Sequence, residues 1–169
     1  MNGGEQNIYT VLGEIEQNGK AICYTKGFSM LPMLKEGRDI SVLLPLSREA
    51  KIGDVVLFIR PEKDNELVLH RIVKIPSDGK YIIRGDNTYF DEPVKRANVI
   101  ALLGGFFRKG KYVDCAASKG YRLYTFCQLR LYFLRKFFLH TLRVAGAKIK
   151  NNIFHLTNLH LDDIFKKKR

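Results

Sequence analysis

Cysteine is scarce in this 169-residue chain and poorly spaced for cross-linking. Cys23, Cys115 and Cys127 are odd in number, form no Cys-x-x-Cys pair and have no histidine at a zinc-ligand interval. A disulfide framework and a zinc site are therefore excluded, no metal or other cofactor is expected, and a reducing compartment fits. Residues 1–20 lack any apolar run longer than a few residues and carry Glu5, Glu14 and Glu16, so they read as neither a secretory signal nor a membrane span. The main domain is expected in the cytoplasm. There is no internal repeat and no low-complexity tract. Acidic residues nearly vanish from the end of the chain: residues 1–118 hold 17 basic and 15 acidic side chains, residues 119–169 hold 12 and 2. The net charge of +12 is thus concentrated in the tail, where it would attract anionic lipid headgroups, nucleic acid phosphates or acidic protein surfaces.

Hydrophobic residues make up 46% of the chain, enough for a packed core in one compact domain with an appendage. Ile8, Val11, Leu12 and Ile15 fall on one helical face and predict a short packing helix that Gly19 stops. Short β-branched runs bounded by turn residues follow, predicting strands at residues 21–25, 40–44, 55–59, 67–75, 81–83, 99–107 and 112–113, with Gly104 and Gly105 bending the sixth. Residues 85–93 read as irregular. About seven strands with regular turn signals predict a mainly β, antiparallel, barrel-like domain over residues 1–118. From Tyr121 the period changes. Leu123, Cys127, Leu131, Leu134, Phe138, Leu142 and Ala145 form one stripe of a helix, with Arg122, Arg130, Lys136 and Arg143 on the opposite arc. Residues 119–169 are therefore expected to form a basic, apolar helical appendage.

Three polar groups stand out. Ser29 sits in the turn Gly27-Phe28-Ser29-Met30-Leu31-Pro32, where Gly27 tolerates backbone angles that a side chain resists. His70 lies in a predicted strand, so the pleat fixes its direction and sends Arg71 to the other face. Asp86 follows one hairpin later, and Asp91 is a second carboxylate. A serine hydroxyl needs a held base to become a nucleophile, and histidine titrates where such a base is useful. Each residue alone has a plain reading: serine and the Gly-Asp pairs as turn formers, histidine as a core residue.

Taken in order, Gly27-x-Ser29-Met30-x-Pro32, Gly53-Asp54-Val55-Val56, His70-Arg71-Ile72 and Gly85-Asp86-Asn87 resemble the motifs of the signal peptidase I family. The likeness covers about residues 25–103. Histidine in place of the bacterial lysine resembles the sporulation-type, archaeal and endoplasmic-reticulum branch. The resemblance implies a serine endopeptidase of that barrel fold that cleaves a leader-like or signal-like peptide through an acyl-enzyme. It makes Ser29 the nucleophile, His70 the general base and Asp86 or Asp91 the supporting carboxylate. Met30 and Pro32 become substrate-binding positions. Gly27 stands where many members carry an oxyanion-binding serine, leaving the Ser29 N–H and a neighbour for that role. The turn also resembles the self-cleaving repressor peptidases, but His70 replaces their lysine, and the 28 residues before Ser29 are too few for a helix-turn-helix domain. No segment of residues 1–28 reads as the membrane span that members of the family carry before the serine, so anchoring is expected elsewhere.

The alternative is a catalytically inactive peptide-binding or membrane-docking module on the same fold. For the tail, the aromatic and basic residues of 121–145 predict an interfacial helix at an anionic membrane surface, with partner-protein docking next and nucleic acid last. Arg130, Arg135 and Lys136 would be costly in a spanning helix.

Overall fold

The computed structural model describes residues 8–132. One compact unit runs through Leu129 and a second begins at Arg130. The first holds eight antiparallel strands and two helices in the order α1 (Ile8–Asn18), β1 (Ala21–Tyr24), β2 (Asp39–Leu44), β3 (Val55–Arg60), β4 (Glu66–Lys74), β5 (Lys80–Arg84), β6 (Glu92–Lys95), β7 (Val99–Arg108), β8 (Lys111–Asp114) and α2 (Lys119–Arg130). The protein is mainly β, and the sheet is open, with its strands in the order β1-β2-β7-β3-β4-β5-β6 and β8 added beside β7.

β7 is the spine of this sheet. It pairs with β2 along one edge, while its other edge is shared by β3 near Val99–Leu102 and by β8 near Gly105–Arg108. The register with β2 shifts between Val42 and Leu43, so that Gly104 is the extra residue of a bulge. A side chain at Gly104 would collide with Leu44, and one at Gly105 with Tyr112. Glycine is therefore needed at both positions, because neighbouring side chains occupy the space beside the strand.

Two cores lie on the two faces. In β3, Val55 and Leu57 enter one, and Val56 and Phe58 the other. A strand buried on both faces reads as a continuous apolar run rather than an alternation. Met30, Met33 and Leu34 fill the first core beside Val11 and Ala21. α1 contributes Val11, and its last turn closes with Gly19 N–H donating to the Ile15 carbonyl at 2.8 Å.

Two expectations change. The stretch read as irregular to residue 93 ends in the edge strand β6, Glu92–Lys95, and Pro93 is tolerated there because an edge strand leaves a row of N–H groups unpaired. The compact unit also continues past residue 118 to take in most of α2. The face of α2 that packs is Tyr121, Tyr124 and Thr125, whereas Leu123, the start of the apolar stripe read from the sequence, is exposed. The expected continuation of this helix toward residue 145 lies outside the described residues. Among the described residues no helix is long and apolar enough to cross a membrane.

Candidate active site

The loop between β1 and β2 carries Ser29 because its apolar residues point one way. Met30, Met33 and Leu34 recur at the spacing of a single helical turn, and all three are buried. Leu34 N–H donates to the Met30 carbonyl at 2.8 Å, and Leu31 N–H to the Phe28 carbonyl at 3.2 Å. With that side anchored, Phe28 faces solvent and Ser29 is half-buried. Gly27 adopts a φ of 75°, the left-handed region that glycine enters without strain. The far end of the loop is pinned by Asp39, whose buried carboxylate accepts from Arg38 Nη2 at 2.6 Å and Arg108 Nε at 2.9 Å. Burial alone would raise the Asp39 carboxyl, but these two guanidinium groups hold it below the ordinary carboxylate range.

His70 lies in β4 opposite Val56 of β3, 8% exposed, with its ring 6.1 Å from that of Phe58. Burial, and then the positive charge of Arg60, push the imidazole down to about 4, against smaller pulls from Glu92, Asp86 and Glu66. At neutral pH the ring is uncharged, which is the form that accepts a proton. Cys23 and Cys115 are pushed up by burial to about 11 and about 12, so neither thiol competes as an ionised nucleophile.

Gly85 brings the serine turn and His70 together. A Cβ at that position would lie 2.7 Å from the Ser29 carbonyl oxygen and 2.9 Å from His70 Nε2. Glycine is needed here for close approach, since its φ is not in the left-handed region. Asn87 holds the serine turn in place: its N–H donates to the Ser29 carbonyl at 2.7 Å, and its Nδ2 to the Phe28 carbonyl at 3.2 Å. Ser29 and His70 are therefore neighbours across Gly85, although no direct hydrogen bond joins their side chains among the described residues.

Asp86 has a different partner from the one expected. Its carboxylate takes a two-pronged pair from Arg71, with Nε to Oδ1 at 2.8 Å and Nη2 to Oδ2 at 2.7 Å, and Tyr124 OH adds a donor at 3.1 Å. Arg71 Nη1 donates to the Gly53 carbonyl at 2.8 Å and Thr125 Oγ1 at 3.0 Å, while Nη2 also reaches Met33 Sδ at 3.2 Å. The guanidinium lies over the rings of Tyr121 and Tyr124. Burial opposes its charge, but the Asp86 carboxylate more than reverses this and keeps Arg71 protonated. Burial likewise lifts the Tyr121 phenol, to about 12.

The other expected site residues are placed as follows. Asp91 is exposed and paired with Arg84 at 2.5 Å, not with His70. Met30, expected to meet substrate, is a core residue at 3% exposure, whereas Pro32 is exposed. Gly27, expected to line an oxyanion site, donates its N–H to Glu36 Oε2 at 2.8 Å and has none to offer. The Ser29 N–H has no acceptor among the described residues. Asn87 and Arg71 have structural roles that sequence order alone does not announce, though both sit inside the quoted motifs. Tyr124 and Thr125 had no local signal, because their partners are some 40 to 50 positions away. Among the described residues, no group of three or more His, Cys, Asp or Glu side chains gathers to hold a metal. No family model matches the chain, and no curated protein matches it.

Two outcomes follow. Asp86→Ala leaves the buried guanidinium uncompensated and should cost about 3–5 kcal/mol in denaturant unfolding, whereas Arg71→Met combined with Asp86→Ala should cost less than the sum of the two single changes. For His70, the folded value of about 4 lies below the ordinary histidine value of 6.5. Above pH 6.5 the ring is neutral in both states and burial carries no proton-linked cost. As the pH falls from 6.5 to 4, the unfolded chain binds a proton that the fold refuses, and stability should drop by on the order of 3 kcal/mol. Unfolding midpoints of wild type and His70→Gln across that window check this, with the variant showing the flatter profile.

Proposed function

We propose that the chain is a serine endopeptidase of the signal peptidase I kind, acting on an extended leader-like or signal-like peptide. The observation that carries this reading is the meeting of the Ser29 turn and His70 Nε2 across Gly85, a position where only glycine fits. The antiparallel sheet, with the serine turn and the Gly85-Asp86-Asn87 turn against one another, is compatible with the barrel-like fold of that family.

In this reading Ser29 Oγ attacks the scissile carbonyl while its proton passes to His70 Nε2. The carbonyl oxygen becomes an oxyanion that faces the Ser29 N–H. Collapse of the tetrahedral adduct breaks the C–N bond, and His70 returns the proton to the departing amine, leaving an acyl ester on Ser29. Water then attacks the ester, again losing its proton to His70, and Ser29 is restored as the new carboxylic acid leaves. The uncharged imidazole, held neutral by burial, is the form that accepts this proton. Asp86 acts at one remove, by fixing the turn that carries Gly85 and Asn87.

A second reading, a peptide-binding module without turnover, is favoured by one observation. Asp86 and Asp91 are both paired with arginines, so the charge of each carboxylate is already matched by a cation other than His70. The two readings separate when a proteome-derived peptide library is incubated with wild type, Ser29→Ala and His70→Ala and analysed by mass spectrometry. The peptidase reading expects new termini from wild type that fall on the order of a thousandfold in each variant. Identical products from all three would overturn it, and peptides retained intact by wild type would install the second reading.

A further inference from the structure

We propose that the outward face of α2 docks on an anionic lipid surface. This inference is independent of the peptidase reading and rests on how α2 divides its side chains. At about 100° per residue, Tyr121, Tyr124, Thr125 and Gln128 form one arc, and it is this arc that the fold uses. Tyr121 and Tyr124 pack on the first core, Thr125 and Tyr121 accept from Arg71, and Gln128 Nε2 donates to Tyr124 OH at 2.6 Å. The opposite arc carries Lys119, Arg122, Leu123 and Phe126, and the helix ends on Arg130. Leu123 is 64% exposed and Phe126 57%. There is no acidic residue anywhere in Lys119–Arg130.

Two large apolar side chains set among three cations match the boundary between lipid headgroups and acyl chains. There the cations meet anionic headgroups while leucine and phenylalanine leave water. A nucleic acid backbone would satisfy the cations and offer nothing to Leu123. An acidic protein patch would have to supply a matching apolar pocket as well. The sequence after α2 strengthens the match, since residues 131–169 hold nine basic and two acidic side chains. The inner arc is held by a buried ion pair, so the outer arc is presented by a fixed helix. Its cations and apolar groups need no folding step before they reach a surface.

The test uses the full chain, and the absence of tryptophan makes Phe126→Trp a single-site reporter. Vesicles of phosphatidylcholine, alone or with phosphatidylserine, are added with and without high salt, and an oligonucleotide of similar charge serves as the competing probe. The proposal expects a blue shift of Trp emission with phosphatidylserine vesicles only, weakened by salt. In cosedimentation, Leu123→Ser with Phe126→Ser should reduce vesicle affinity about tenfold or more, and Lys119→Gln with Arg122→Gln should do likewise. Peptide cleavage in solution should be unchanged in these variants. Vesicle binding that survives both double substitutions would overturn the proposal, as would unshifted Trp emission or a shift with the oligonucleotide but not with vesicles.

Discussion

The Arg71–Asp86 pair is the interaction on which the candidate site depends. Both side chains are almost completely buried, and a buried charge pair is stable only with good geometry and full hydrogen bonding. Here the fork of the guanidinium meets the carboxylate squarely, and its remaining donors reach Gly53, Thr125 and Met33. Among the described residues no buried side-chain nitrogen or oxygen lacks a partner. One cation thereby ties together the loop before β3, the segment after Ser29, the turn after β5 and the inner face of α2. Removing one partner would loosen all four.

The same pair shapes the chemistry beside it. Adjacent residues of a strand face opposite ways, so Arg71 takes the carboxylate on one side while His70 is buried near Phe58 on the other. With the Asp86 charge matched by Arg71, burial dominates the His70 environment and keeps the ring neutral. Gly85 and Asn87, on either side of Asp86, then act on the serine turn. The first leaves room for it and the second binds two of its carbonyls. In Gly85-Asp86-Asn87, each residue has its own physical task.

Much of this was legible in the sequence, because the strands are β-branched runs closed by Gly-Asp, Pro-x-x-Gly and Lys-Gly turns. β6 was hidden by Pro93, which argues against a strand unless one knows it lies at an edge. The open course of the sheet depends on how β7 divides an edge between β3 and β8, a long-range choice with no local sign. Ser29 and His70 could be nominated from motif order, but their meeting depends on the space at Gly85. The role of Asp86 turned on a single residue of alternation, since His70 and Arg71 are neighbours in sequence and only one can face the carboxylate. The inner face of α2 has a related origin. Leucine and cysteine spacing marks an apolar stripe, yet a buried guanidinium selects aromatic faces and hydroxyls, and so Tyr121, Tyr124 and Thr125 turn inward.

The central claim, that the neutral His70 activates Ser29 across Gly85, is tested most directly by the selectivity of a covalent label. The folded chain would be exposed to a fluorophosphonate ester at neutral pH and its adducts mapped by peptide mass spectrometry. One early adduct is expected, at Ser29, that is lost in His70→Gln, with the exposed Ser77 unlabelled. Labelling of Ser29 no faster than Ser77, or equally fast without His70, would contradict it.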